Sequence, residues 1–137
     1  MDIWHLENKD YTRLLLWRID CNNFRLTIRD EFKPLLTNID YTLLDKKYTS
    51  LLNSLSDQIT LNDAKIYDLN LKVEIDNYTE LKIHNTINPS SINSIDSNGL
   101  KIWSFDGEVF VSGELKESLL KINNFDFVFT LGFSNFG

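Results

Sequence analysis

One cysteine, two histidines and five glycines in 137 residues leave little material for several whole classes of protein. Cys21 has no partner for an intramolecular disulfide, and together with His5 and His84 it falls short of a zinc site, so neither a disulfide-stapled fold nor a metal centre is expected. None of the glycines is spaced as a phosphate loop or a dinucleotide fingerprint, and no EF-hand spacing occurs, so no cofactor is expected. No apolar run approaches the ~18 residues that a membrane span needs. Positive charge is scarce as well. Fourteen Lys and Arg stand against twenty acids, a net charge of -6 and the reverse of what a phosphate backbone attracts, so direct nucleic-acid binding is not expected. The first residues, Met1 to Glu7, show no basic region followed by an apolar stretch, which makes the cytoplasm the expected compartment. Ala64 is the only alanine, whereas Asn, Ile, Lys, Leu and Phe abound, a bias of AT-rich coding that suggests a bacterial or phage source.

What is present is hydrophobic alternation. At 42% apolar residues and this length, residues 1–137 are expected to form a single folded domain. The spacing of Leu44, Tyr48, Leu51, Leu52, Leu55 and Ile59 predicts one amphipathic helix over 41–58, with Asp40 as its N-cap. Elsewhere hairpins dominate. A turn at Asn22-Asn23 sets Trp17 opposite Ile28 on an apolar face and gathers Asp20, Arg18, Arg25 and Arg29 on the other. Residues 65–75 alternate as a half-buried strand, and a loop at 76–78 then opposes Leu71 to Ile83. Trp17 and Leu71 are therefore expected in the core. Asn88 to Gly99 reads as one long loop. Asp106-Gly107 is the strongest turn signal, pairing Ile102 with Val111, Trp103 with Phe110 and Phe105 with Glu108, and Asn123-Asn124 is expected to turn a last hairpin. The fold class that results is α+β: a mainly antiparallel, hairpin-built sheet of roughly seven to nine strands, with the 41–58 helix packed on it.

No catalytic template is met. A Ser or Cys nucleophile needs a histidine base, and neither His5 nor His84 has a partner that the sequence nominates. The first suspects for an unseen enzyme site are His84 and Glu80, both expected on a polar strand face; no catalytic residue is assigned. The 101–114 hairpin carries large apolar groups on both faces, which leaves two readings of its Trp103 side. Either another layer covers that face, or Trp103, Phe105 and Phe110, rimmed by Asp106, Glu108 and Glu114, form an aromatic and acidic surface that binds a basic protein partner.

A small, acidic, cysteine-poor, hairpin-rich domain with one amphipathic helix and no catalytic inventory resembles, in type, the immunity proteins of bacterial contact-dependent inhibition and other polymorphic toxin systems. That resemblance implies a cytoplasmic inhibitor, not an enzyme, that binds and occludes a cognate toxin, often a nuclease with a basic active site. Phage-encoded inhibitors of host defence share the profile. A small enzyme or an assembly subunit without a recognisable motif is the remaining alternative.

Overall fold

The Asp106-Gly107 turn forms as its sequence dictates, with φ of +52° and +80° at the two central residues, the left-handed pair that a two-residue hairpin demands. It joins β8 (Ile102–Phe105) to β9 (Glu108–Ser112), and the register is the expected one: Ile102 opposite Val111, Trp103 opposite Phe110, Ser104 opposite Val109 and Phe105 opposite Glu108. Glycine is required at 107 for a second reason, because a Cβ there would lie 2.8 Å from the Asn38 carbonyl carbon. Gly107→Ala should therefore destabilise the protein by at least the ~1–2 kcal/mol of left-handed strain, measured as a shift in the urea midpoint.

Computed for the whole chain, the structural model describes residues 1–136, in which ten strands and two α-helices are arranged as two sheets. In the first sheet β1 (Ile3–Asn8) lies between β9 and β10 (Phe127–Leu131), giving the order β10-β1-β9-β8, all antiparallel. The expected strand after residue 113 is instead a helix, α2 (Gly113–Ile122), so the last hairpin does not form. Ser112 caps it by accepting the Leu115 N–H, and Leu115 and Leu119 are buried at helical spacing. Asn123 ends that helix in an extended conformation rather than turning two strands.

The second sheet contains β2 (Leu15–Arg18), β3 (Asn23–Ile28), β4 (Leu35–Thr37), β5 (Thr42–Asp45), β6 (Ile59–Asp68) and β7 (Val73–Ile83) in the order β2-β3-β6-β7-β5-β4. One pairing, β3 with β6, is parallel. Three sequence expectations fail here, each for a local reason.

The 41–58 helix is the first. Leu43 and Leu44 are both buried and point into different cores, which a strand between two layers achieves and a single helical stripe does not. Helical structure begins only at Lys46, where Asp45 rather than Asp40 supplies the cap to Lys47 N–H, and it alternates between 3-10 turns and a short α1 (Thr49–Leu52) up to Leu55. Tyr48, Leu52, Leu55 and Ile59 are buried as their spacing requires.

The second is the β2–β3 hairpin. Asp20 accepts the Asn22 backbone N–H at 3.1 Å and the Asn23 side-chain amide at 2.7 Å, and this Asx turn closes the chain before Asn23. Trp17 consequently pairs with Arg25, not Ile28. A shift by an odd number of residues exchanges faces. Leu14, Leu16 and Phe24 go inward, and Trp17, expected in the core, is 66% exposed.

The third is the strand at 65–75, which is broken by a turn over 69–72. Asp68 accepts the N–H groups of Asn70 and Leu71, and Lys72 takes a positive φ of +55°. β6 and β7 therefore pair around that turn, with Ile59 opposite Ile83 and Leu61 opposite Leu81. Leu71, also expected in the core, is 66% exposed at the hairpin tip.

The architecture is nonetheless α+β and dominated by antiparallel pairs. Leu6, Ile102, Val109 and Val111 of the first sheet share one core with Leu44, Ile59 and Leu81 of the second and with Leu52, Leu55, Leu115 and Leu119 of the helices. The opposite face of the second sheet closes a separate core around Phe24, Tyr41, Leu43, Ile66 and Tyr78.

Candidate protein-binding face

The 101–114 hairpin is where aromatics and carboxylates were expected to meet a partner, and its anchors are covered. After β10 the chain turns at Gly132, whose N–H donates to the Ile3 carbonyl at 2.7 Å, and brings Phe133 to 4.7 Å from the Phe110 ring centroid and 5.1 Å from that of Phe105. Ile87 and Ile92, from the segment before β8, close the same cluster. Phe110 and Trp103 are buried and Phe105 is half-buried, so the covering-layer reading of this face is the one the structure adopts. The carboxylates remain at the surface in local roles. Asp106 is a turn residue, Glu114 sits in the first turn of α2, and Glu108 accepts a hydrogen bond from His5 Nε2 at 3.1 Å if that nitrogen carries the proton.

His84 and Glu80, the first suspects for an enzyme site, are engaged with different partners. His5 is buried, stacked on Phe110, with both ring nitrogens within 3.2 Å of a glutamate oxygen, Glu7 on one side and Glu108 on the other. His84 is exposed and its Nε2 lies 2.7 Å from the Thr60 hydroxyl. Glu80, expected beside it on a polar face, is buried instead and is ion-paired with Arg18. Among the described residues no group of three or more His, Cys, Asp or Glu is placed to hold a metal ion.

The exposed aromatic surface lies on the second sheet instead. Residues paired across neighbouring strands share a face, and the pairs Trp17–Arg25, Arg25–Tyr67 and Tyr67–Glu74 run as one row from β2 through β3 and β6 to β7. Trp17, Ile19 and Leu69, exposed by 66%, 57% and 62%, line a shallow depression of about 450 Å³ with Arg18 and Arg25. The Arg25 guanidinium lies 5.7 Å from the Trp17 ring centroid, at cation–π distance. Leu71 and Val73 extend the apolar surface around the β6–β7 turn. Scattered single hydrophobics on a surface mean little, but an aromatic and several aliphatics gathered around one concavity make this the candidate face.

The sheet edge at β2 is partly closed. The Leu16 N–H, which would otherwise be free to recruit another strand, donates to the buried Tyr41 hydroxyl at 3.1 Å.

Charge on this unit is unlike that of the whole chain. All four arginines, Arg13, Arg18, Arg25 and Arg29, fall between residues 13 and 29, accompanied by one aspartate. Two of them are committed to the fold. Arg18 reaches Glu80, and Arg29 grips the buried Asp68 with two parallel bonds of 2.6 and 2.7 Å. The Arg29 guanidinium holds the Asp68 carboxyl down at about 2, with the Leu71 and Asn70 N–H groups adding to the effect. A carboxylate whose folded-state pKa lies below its unfolded value of ~3.9 stabilises the protein fully above that value, and the contribution is lost as pH falls toward and through the folded value. The urea midpoint should accordingly drop between about pH 4 and pH 2, and Asp68→Asn, which cannot titrate, should flatten that drop.

The sequence contains the signals for this face, but they are short-range: the Asp20 Asx turn and the Asp68 turn set the two registers that turn Trp17 and Leu69 outward. No protein-family model, curated protein or solved structure matches the chain. No helix among the described residues is long and apolar enough to cross a membrane.

Proposed function

We propose that the protein works by binding and inhibiting another protein, as a cytoplasmic immunity protein does when it neutralises a cognate toxin such as a nuclease. The observation that carries this reading is the exposed cluster of Trp17, Ile19 and Leu69 around Arg25, where β2 and β3 turn away from the Phe24 core. Tryptophan and arginine are the side chains that most often anchor protein interfaces, and here they occupy one depression on a sheet that holds them rigidly. Trp103 and Phe110 of the 101–114 hairpin, buried in the cluster with Ile92, take no part; the half-buried Phe105 with Asp106, Glu108 and Glu114 could contribute only to a peripheral surface.

Co-expression of the protein with the product of the adjacent gene tests the reading directly. A stable complex on size-exclusion chromatography and protection of a deletion strain against its toxin-bearing siblings are the expected results. Absence of both would overturn it. In that complex Trp17→Ala should cost about 2 kcal/mol or more of binding free energy, read by titration calorimetry, while the variant remains folded by circular dichroism. A phage-encoded inhibitor of host defence would use the same face, and phage structural genes in the neighbourhood would identify that case.

A further inference from the structure

Resting on the protein-binding reading, we infer that the partner meets the Trp17 face with an acidic segment: an Asp or Glu side chain next to an aliphatic or aromatic one. Of the four arginines in this unit, Arg18 and Arg29 are held by Glu80 and Asp68, and Arg13 is 3.9 Å from Asp30. Arg25 is different. It is exposed, has no carboxylate within ion-pair distance among the described residues, and sits against Trp17 with its donors available to solvent. A guanidinium beside an indole keeps its in-plane N–H fork open, and that fork matches the two oxygens of a carboxylate. The depression between Trp17, Ile19 and Leu69 accepts the apolar neighbour.

Charge complementarity selects this occupant over two others. A second copy docking the same face about a twofold axis would bring two Arg25 guanidiniums into one interface, and the β2 edge that could pair copies is blunted by Tyr41. A nucleic-acid strand needs a run of cations along its backbone and would find only one uncommitted guanidinium beside the aromatic row, enough for a single carboxylate. The inhibitor's field is acidic as a whole, yet its binding face is locally basic.

Random linear peptides displayed on phage, panned on the immobilised full-length protein and counter-selected on Arg25→Ala, test the inference. Enriched peptides are expected to carry Asp or Glu beside an aromatic or aliphatic residue. A synthetic peptide of that sequence should lose about tenfold or more in affinity for Arg25→Ala and for Trp17→Ala by fluorescence anisotropy. Both positions are exposed, and unchanged thermal melts would confirm that the variants fold. Failure to enrich any peptide, enrichment without acidic residues, or variant affinities equal to that of the unmodified protein would overturn the inference. So would tighter binding of a labelled oligothymidine than of the peptide, or concentration-dependent self-association in sedimentation velocity that Arg25→Ala changes. The two readings fail separately. A co-expressed partner whose affinity ignores Trp17→Ala and Arg25→Glu would remove the acidic-segment inference and leave inhibition standing, whereas peptide binding without any toxin partner would do the reverse.

Discussion

Arg18→Ala should lower the unfolding free energy by about 3 kcal/mol, the low end of what breaking a buried ion pair costs. Glu80 is 2% exposed and sits in the middle of β7, so its carboxylate has little recourse to water once the guanidinium is gone. Arg18 also donates to the Asp40 carbonyl at 2.9 Å and the Cys21 carbonyl at 3.3 Å and lies 4.7 Å from the Phe24 ring centroid, joining β2, the 38–41 loop and β7 at one point. The low end applies because a cleft of about 220 Å³, lined by both residues, lets some water reach the abandoned carboxylate. Replacing both partners by apolar residues, Arg18→Met with Glu80→Leu, should recover most of the loss, since the penalty belongs to the unpaired charge rather than to the missing attraction. Urea titrations of the single and double variants provide the comparison. A double variant no more stable than Arg18→Ala alone would show that the anchoring contacts to Asp40, Cys21 and Phe24 dominate, not the pair.

This ion pair also shows where sequence reading stops. Alternation along β7 assigns Glu80 to the same polar side as Lys82, and by period that is right. What alternation does not contain is the partner from a distant strand, sixty-two positions away, that makes an inward carboxylate tolerable. The same division runs through the fold. The Asp106-Gly107 hairpin was legible to the residue because its register depends on two backbone angles that only a few residue pairs favour. Tyr48, Leu52, Leu55 and Ile59 were legible as buried, yet the element they occupy was not, because a strand that hands over to 3-10 and α turns leaves much the same spacing as one helix. α2 was missed for the opposite reason: Ser112 as cap followed by Leu115 and Leu119 was present, but neighbouring hairpins made strand the default. For the candidate face, the decisive residues were Asp20 and Asp68, whose side chains bond the backbone two and three positions on and choose the registers. The odd shift at the Asp20 turn faces Trp17 to water, and the turn at Asp68 takes Leu71 out of the strand altogether.

Trp103→Ala should cost about 3–5 kcal/mol of stability, whereas Trp17→Ala and Leu71→Ala should each change it by less than about 0.5 kcal/mol. Sequence alternation expected Trp17 and Leu71 in the core and left Trp103 between a covered position and an anchor for a partner. Trp103 is 5% exposed and shares a cluster with Ile3, Ile87, Ile92 and Phe110, so truncating it removes a large apolar group from a layer built by β1, β9 and the segment before β8. The cavity would open beneath Phe133, whose rings with Phe105, Phe110 and Phe136 fix the last described turn of the chain. Loss of that turn's packing should precede global unfolding, visible as early hydrogen exchange at the Gly132 N–H, which donates to Ile3. Trp17 loses only solvent-exposed area and the contact with Arg25. The two tryptophans thus separate folding from binding: one variant should fail in the urea titration and the other only in the presence of the partner. Equal stability losses at positions 17 and 103 would mean that the β2–β3 register places Trp17 inside, and the proposed face would go with it.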